Sequence, residues 1–235
     1  MSIALIDADI VAYRCAASAN NDPLDIALVR VDELMQRILH ETASEHYFAY
    51  LTGSNNFRYD IYPEYKANRK DTEKPKWLQD CREHLVLQWK ASVTDGIEAD
   101  DAMSMEQTKN SDTIICSIDK DLLQVPGRHY NFVKQEFKTI SPKEGLFNFY
   151  WQFIMGDKAD NIPGFDGKMR DKIPKFLEPM YNEMQLALEF GTEVDLFDIV
   201  RGNHTADDAL LLALGRCLYM LREPDKHWEF PSEKT

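Results

Sequence analysis

Eight acidic side chains stand at positions from which a folded chain could present them together. Asp7 closes an apolar run near the N-terminus, and Glu98, Asp100 and Asp101 crowd what reads as a helix start. Asp119 and Asp121 follow a second apolar run, and Asp157 and Asp160 sit within Gly156-Asp157-Lys158-Ala159-Asp160. Two ionised carboxylates about 4 Å apart repel by roughly 4 kcal/mol at an effective dielectric of about 20. Convergence of such a set therefore demands cations or large pKa shifts. Hard oxygen donors suit Mg²⁺ or Mn²⁺. Two such ions about 3.5–4 Å apart can activate a water and stabilise the leaving oxygen of a phosphodiester. Each piece alone has a plainer reading. Asp-x-Asp after a strand is commonly a turn or a cap, and acids at a helix start favour the macrodipole.

The elements that must position these acids follow from periodicity. Ile3–Ile6 is a short apolar run suited to a buried strand that ends at Asp7. After an Asp22-Pro23 start signal, Ala27, Leu28, Val31, Leu34, Met35, Ile38 and Leu39 recur at helical spacing. Tyr47–Leu51 reads as a second strand closed by Gly53-Ser54-Asn55-Asn56. Pro75 opens a helix to about Leu87, Gln88–Ser92 reads as a strand, and Glu98–Thr108 as a helix. Thr113–Ile118 is a buried strand that ends at Asp119. This alternation predicts an α/β fold, a mostly parallel sheet flanked by helices. Sites in such sheets form at the carboxyl ends of strands, which is where Asp7, Asp119 and Asp121 fall. Glu98 and Asp101 have the spacing that places them on one helix face. Beyond about Leu146 the strand signals fade and Leu186–Leu221 reads as helical, so a core over 1–145 and a helical region over 146–235 are expected.

Composition narrows the class. The 235 residues carry 44% hydrophobic and 11% aromatic side chains, enough for a sizeable core and unlike a disordered tail. The four cysteines are dispersed without a CxxC pair, which points to reduced thiols and a cytoplasmic setting rather than a disulfide or zinc framework. The N-terminus lacks the basic start of a signal peptide, and no apolar run suits a membrane span. A formal charge of −13 argues against a nucleic-acid partner only until its distribution is read. Basic residues gather over 58–90 (Lys66, Arg69, Lys70, Lys74, Lys76, Arg82) and over 128–175, while the last quarter holds the acidic excess.

Several motifs in order then resemble the phage and bacterial 5′→3′ exonucleases of the flap-endonuclease family, the phage replication exonucleases in particular. They are Leu5-Ile6-Asp7, Asn56-Phe57-Arg58, Tyr65-Lys66-Ala67-Asn68-Arg69, Glu98-Ala99-Asp100-Asp101, Ser117-Ile118-Asp119-Lys120-Asp121 and Gly156-Asp157-Lys158-Ala159-Asp160-Asn161-Ile162-Pro163-Gly164. The resemblance spans residues 3 to 167 and leaves the C-terminal third without a signature. It implies a PIN-like α/β nuclease core with two metal positions for Mg²⁺ or Mn²⁺. Asp7, Glu98, Asp100, Asp101, Asp119 and Asp121 fall to the inner network by this likeness, and Asp157 and Asp160 to the second position. Tyr65, Lys66 and Arg69 fall to a gateway over the site: Lys66 on the scissile phosphate, Arg69 on a neighbouring phosphate, and Tyr65 stacked on a terminal base. Read from the residues alone, the same segment is equally a solvated basic helix.

The implied activity is hydrolysis of DNA from 5′ ends, on duplex or flap, with RNA removed from RNA–DNA hybrids and replication proteins as partners. A PIN-type endoribonuclease and a non-catalytic DNA-binding replication or recombination factor are the rival readings. No loop has the ligand spacing of an EF-hand. Departures from the family pattern are local. Leu51-Thr52-Gly53-Ser54 lacks the aspartate that many relatives carry at the end of the second strand, and Asp9 replaces a small polar residue and is left outside the site. After Gly164-Phe165-Asp166-Gly167 comes Lys168-Met169 where a further glycine is usual, which argues against K⁺ binding there. The backbone amides of that loop are expected to remain available to a phosphate. The stretch 70–76 is too short for a large threading arch.

Overall fold

The computed structural model describes residues 2–69 and 72–232, so Lys70 of the basic segment lies outside the described residues. In chain order the elements begin β1 (Ile3–Asp7), α1 (Ala8–Ser18), α2 (Leu24–Glu41), β2 (His46–Leu51), α3 (Arg58–Ile61), α4 (Leu78–Trp89) and β3 (Ser92–Val93). They continue α5 (Ala99–Lys109), β4 (Thr113–Cys116), β5 (Gly127–Asn131), β6 (Glu136–Ile140), α6 (Pro142–Met155), α7 (Glu178–Phe190), α8 (Glu193–Asn203) and α9 (Asp208–Leu218). The chain forms two compact units. One comprises Met1–Asn56, Glu73–Ile140 and Met220–Pro224; the other Phe57–Thr72, Ser141–Tyr219 and Asp225–Thr235. The division expected at 145/146 falls inside α6, and the basic Tyr65–Arg69 motif belongs with the helical unit.

The first unit is built on a six-stranded sheet of order β3-β2-β1-β4-β5-β6. Every pairing is parallel except β5 with β6, an antiparallel hairpin at the edge. The chain lays down β1, moves outward to β2 and β3, and returns to the other side of β1 for β4. The order therefore reverses between β1 and β4, the topological switch point at which open α/β sheets form their crevice. The apolar runs of β1 and β4 do not alternate with polar residues because both faces are covered. Ala4, Ile6, Ile114 and Cys116 face a core with α1, α2 and α4, while Leu5 and Ile115 face Met103, Leu122 and Val125 on the other side.

The expected strand over Gln88–Ser92 is corrected. Gln88 and Trp89 complete α4, Lys90 ends it in the left-handed region at φ 53°, and only Ser92–Val93 extends. The hairpin of β5 and β6 has no strong signal in the sequence, since an edge hairpin with few buried positions carries mostly polar side chains.

The second unit packs α6 to α9 around an aromatic core. Phe149, Tyr150, Phe153, Phe197 and Trp228 meet at ring centroid distances of 4.9 to 6.4 Å. Reciprocal capping boxes start α6 at Ser141 with Glu144 and α8 at Thr192 with Asp195. Arg58, fully buried, donates from Nε to Cys217 O at 2.8 Å and from Nη2 to Tyr219 O at 2.9 Å, satisfying carbonyls at the end of α9. Among the described residues no helix is long and apolar enough to cross a membrane.

Candidate functional site

At the switch point of the first unit a run of short hydrogen bonds ties β1 to the turn after β4. Asp7 ends β1 and caps α1, its Oδ1 accepting the Ile10 amide at 3.1 Å. Its Oδ2 accepts the Ser117 hydroxyl at 2.6 Å. That hydroxyl accepts the Asp119 amide at 3.0 Å, and Asp119 Oδ1 accepts the Asp121 amide at 2.8 Å. Asp7, at the end of β1, is thus linked through Ser117 to the turn that carries Asp119 and Asp121. Burial to 3% exposure pushes the Asp7 carboxyl up to about 7; its bonds to Ser117 and Ile10 pull it down, and the charges of Asp9 and Asp119 raise it again. A carboxylate so placed is costly to ionise without a cation beside it.

Glu98 and Asp101 form a capping box at the start of α5, with the Glu98 amide on Asp101 Oδ2 at 3.1 Å. Asp101 is fully buried, and its Oδ1 accepts the Leu221 amide at 3.0 Å. Both oxygens of Asp101 therefore hold backbone, fixing the 220–224 strap within this unit. Glu98 is 4% exposed, Asp121 is buried, and Asp100 is half-buried between the two capping residues.

Asp9, left outside the site on sequence grounds, lies at its edge. Its carboxylate accepts the Thr52 amide at 2.8 Å and pairs with Arg82 from α4. Thr52 occupies the end of β2, the position without a carboxylate of its own. Ser117, Asp9, Thr52 and Arg82 are the residues that sequence reasoning missed here. Ser117 had a local signal, standing two positions before Asp119, whereas Arg82 had only its charge.

In the second unit two motifs far apart in the chain are clamped together. The Tyr65 hydroxyl donates to Asp160 Oδ2 at 2.7 Å, and Arg69 Nη2 pairs with Asp160 Oδ1 at 2.8 Å. Lys66 Nζ lies 3.6 Å from the same oxygen. Backbone bonds reinforce the clamp: the Lys66 amide donates to Asp160 O at 2.9 Å, Asn68 Nδ2 to Lys158 O at 2.6 Å, and Arg69 Nε to Ala159 O at 2.8 Å. Asn161 Nδ2 reaches Glu64 O at 2.9 Å. Lys66 and Asn161 both adopt positive φ, at 54° and 58°, a strained choice for residues with a side chain, held in place by these bonds. Asp157 is 1% exposed and its Oδ1 accepts the amides of Ala159 and Asp160 at 2.7 and 3.0 Å. Gly156, at φ 69°, lets the loop close: an added Cβ would lie 2.5 Å from Gly164 N and 2.7 Å from Ile162 O.

Two expectations are corrected by this geometry. Tyr65 is 1% exposed and its ring packs against Tyr59, so it has no face to offer a base and instead orients Asp160. Four of the five amides of the 164–168 loop are already engaged, so the loop offers no open set of donors to a phosphate. Those of Gly164, Phe165 and Gly167 donate to Lys168 O, Ile154 O and Gly164 O, and that of Lys168 to the Asp166 carboxylate.

The donor chemistry fits a hard divalent ion: the buried acids at the switch point offer only oxygen, and Asp7 is destabilised by its own burial. Among the described residues no three His, Cys, Asp or Glu side chains close on a common point. The carboxylates are hydrogen-bonded to backbone and to Ser117 instead.

Comparison with known proteins adds to this geometry. The family model for the 5′-3′ exonuclease, N-terminal resolvase-like domain, matches residues 2–149. The chain is 27% identical over 186 residues to a 5′-3′ exonuclease of Buchnera aphidicola subsp. Schizaphis graminum, covering 69% of this chain and 64% of that one. It is 29% identical over 159 residues to DNA polymerase I of Rhizobium leguminosarum, covering 60% of this chain and 15% of the polymerase. The chain thus spans less than two thirds of either relative. A bacteriophage T5 flap endonuclease, solved as a pseudo-enzyme–product complex with DNA and metal ions, superposes with a TM-score of 0.67 at 18% identity, over 94% of this chain and 89% of that one. That likeness is one of fold: the mostly parallel, helix-flanked sheet expected of a PIN-like core is the one observed.

Proposed function

Because this chain belongs to the 5′-3′ exonuclease family through its N-terminal resolvase-like domain, we propose that it hydrolyses DNA phosphodiesters at 5′ ends or 5′ flaps with the help of divalent metal ions. The observation that carries the reading is the run of hydrogen bonds from Asp7 through Ser117 to the Asp119–Asp121 turn, at the switch point of an open parallel sheet, with Asp7 costly to ionise in its buried place without a cation. Asp7, Glu98, Asp100, Asp119 and Asp121 would hold the first ion. Asp101 would serve through its grip on the Glu98 and Leu221 amides. Asp157 and Asp160 are assigned to a second ion position in the helical unit. Mg²⁺ or Mn²⁺ at such positions supplies an activated water and offsets charge on the phosphodiester.

The protein's own side chains do the rest. Ser117 orients Asp7, and the Asx turn of Asp119 fixes Asp121. Tyr65 aims the Asp160 carboxylate, which in turn keeps the Lys66 and Arg69 cations localised. Those two cations are assigned to substrate phosphates, where a fixed positive charge stabilises charge developing in the transition state. No covalent intermediate on the protein is required. RNA in RNA–DNA hybrids is a further substrate on this reading, and replication is its setting.

The test is a 5′-end-labelled duplex carrying a short flap, incubated with Mg²⁺, Mn²⁺ or chelator, alongside a hybrid and a single-stranded RNA. Metal-dependent release of short 5′ products from DNA, abolished in Asp7→Asn and in the double variant Asp119→Asn with Asp121→Asn, is expected. Cleavage confined to RNA would favour the endoribonuclease, and tight DNA binding without cleavage in either metal would favour a silent family member.

A further inference from the structure

Asp9 lies just past Asp7 on α1, and both its oxygens are engaged. Oδ2 accepts the Thr52 amide at 2.8 Å, and Oδ1 takes Nη1 of Arg82. Arg82 reaches across from α4 and, with its other terminal nitrogen, donates to Thr52 O at 2.6 Å. Both peptide groups of Thr52 are therefore gripped by one ion pair. The side chain of Thr52 passes the restraint on, because its hydroxyl accepts the Ala99 amide at 3.0 Å. Ala99 is the first residue of α5, with Glu98 immediately before it and Asp100 immediately after.

The bonds form one path through the first unit: α1 to α4, α4 to the end of β2, and the end of β2 to the first turn of α5. At one end of the path stands Asp7, and at the other stand Glu98 and Asp100. The planar guanidinium of Arg82 spends one terminal nitrogen on the carboxylate and the other on the carbonyl, fixing the two relative to each other, and Thr52 Oγ1 satisfies one of the donors that a helix start leaves open. Neither Asp9 nor Arg82 is an exposed surface charge, their side chains being 29% and 24% exposed.

We propose that Asp9 and Arg82 are positioning residues that act through Thr52 to hold the start of α5 in register with the end of β1, and so set the affinity of the carboxylate site for a divalent ion. The inference rests on the metal-site reading given above. Groups that orient metal-binding carboxylates typically cost about 10- to 100-fold in metal affinity when removed.

Mn²⁺ titration of the full chain by isothermal calorimetry tests it, with the thermal midpoint recorded for each variant. Asp9→Asn, Arg82→Met and Thr52→Val are each expected to weaken Mn²⁺ binding about 10-fold, while Thr52→Ser, which keeps the hydroxyl, binds like the parent. The Asp9→Asn, Arg82→Met double variant is expected to be no weaker than either single one, since both remove the same link. Parent-like affinity in Thr52→Val, or additive losses in the double variant, would overturn the proposal. So would a gain in affinity in Arg82→Met, which would make Asp9 a ligand that the arginine holds back. Should the Asp9 variants fail to fold, the Thr52→Val and Thr52→Ser pair still decides. If the parent binds no Mn²⁺, or Asp7→Asn binds as the parent does, it is the metal-site reading that fails.

Discussion

The Tyr65–Asp160 bond offers a sharp test of how the second unit is held together, through the substitution Tyr65→Phe. It removes one oxygen and leaves the ring, its packing against Tyr59 and its place in the core unchanged. The donor is 1% exposed, the acceptor is a carboxylate 8% exposed, and they lie 2.7 Å apart. Hydrogen bonds to charged groups contribute about 1.5–3 kcal/mol, and burial places this one in the upper part of that range. Arg69→Ala deletes an ion pair to the same carboxylate, but the Arg69 side chain is 51% exposed. Solvent screening holds such pairs to about 1 kcal/mol or less, and the exposed bond from Arg69 Nε to Ala159 O, lost with it, adds about 0.5 kcal/mol. The order is the informative quantity: loss of a neutral hydroxyl should cost more than loss of a full charge. Urea unfolding followed by tryptophan fluorescence, with Trp151 and Trp228 in this unit, measures both. A Tyr65→Phe effect below about 0.5 kcal/mol, or an Arg69→Ala effect that exceeds it, would refute the assignment of Tyr65 as the anchor of Asp160.

Two further outcomes follow from the same structure. Gly156→Ala places a methyl 2.5 Å from Gly164 N at a positive φ, so it should destabilise by about 2 kcal/mol or more, through overpacking and backbone strain; an unchanged unfolding midpoint would contradict that close approach. His129 is buried with Nε2 against Val125 O at 2.8 Å, and burial, then the nearby Lys138 and Arg222, lower its pKa below 6.5. Its folded form resists protonation, so its contribution is fully present above 6.5 and is lost as the pH falls below that value. His129→Gln should flatten the decline in unfolding free energy between pH 7 and pH 5, and a parent-like slope would count against it.

Much of this molecule is written in short-range sequence. The apolar runs before Asp7 and Asp119 specify strands, although β4 stops at Cys116 rather than Ile118, and in a parallel sheet the residues that end a strand or follow it in the next turn already stand at its carboxyl rim. Helix starts are local too: Glu98 with Asp101 and Ser141 with Glu144 form boxes whose partners lie within one turn. What the sequence leaves open is decided by contacts across long separations. Tyr65 meets Asp160 at a distance of 95 residues, Arg82 reaches Asp9 across 73, and Thr52 reaches Ala99 across 47. No periodicity encodes such a pairing, because each partner is locally only a polar residue in a turn or on a helix surface. Burial then changes the chemistry of residues whose types are plain in the sequence. It turns Tyr65 from a candidate base-stacker into a buried donor and Asp101 into a brace for backbone, and it lifts the Asp7 carboxyl to about 7. Residue type sets what a side chain can do, while the fold, by removing water and supplying partners, decides which of those things it does.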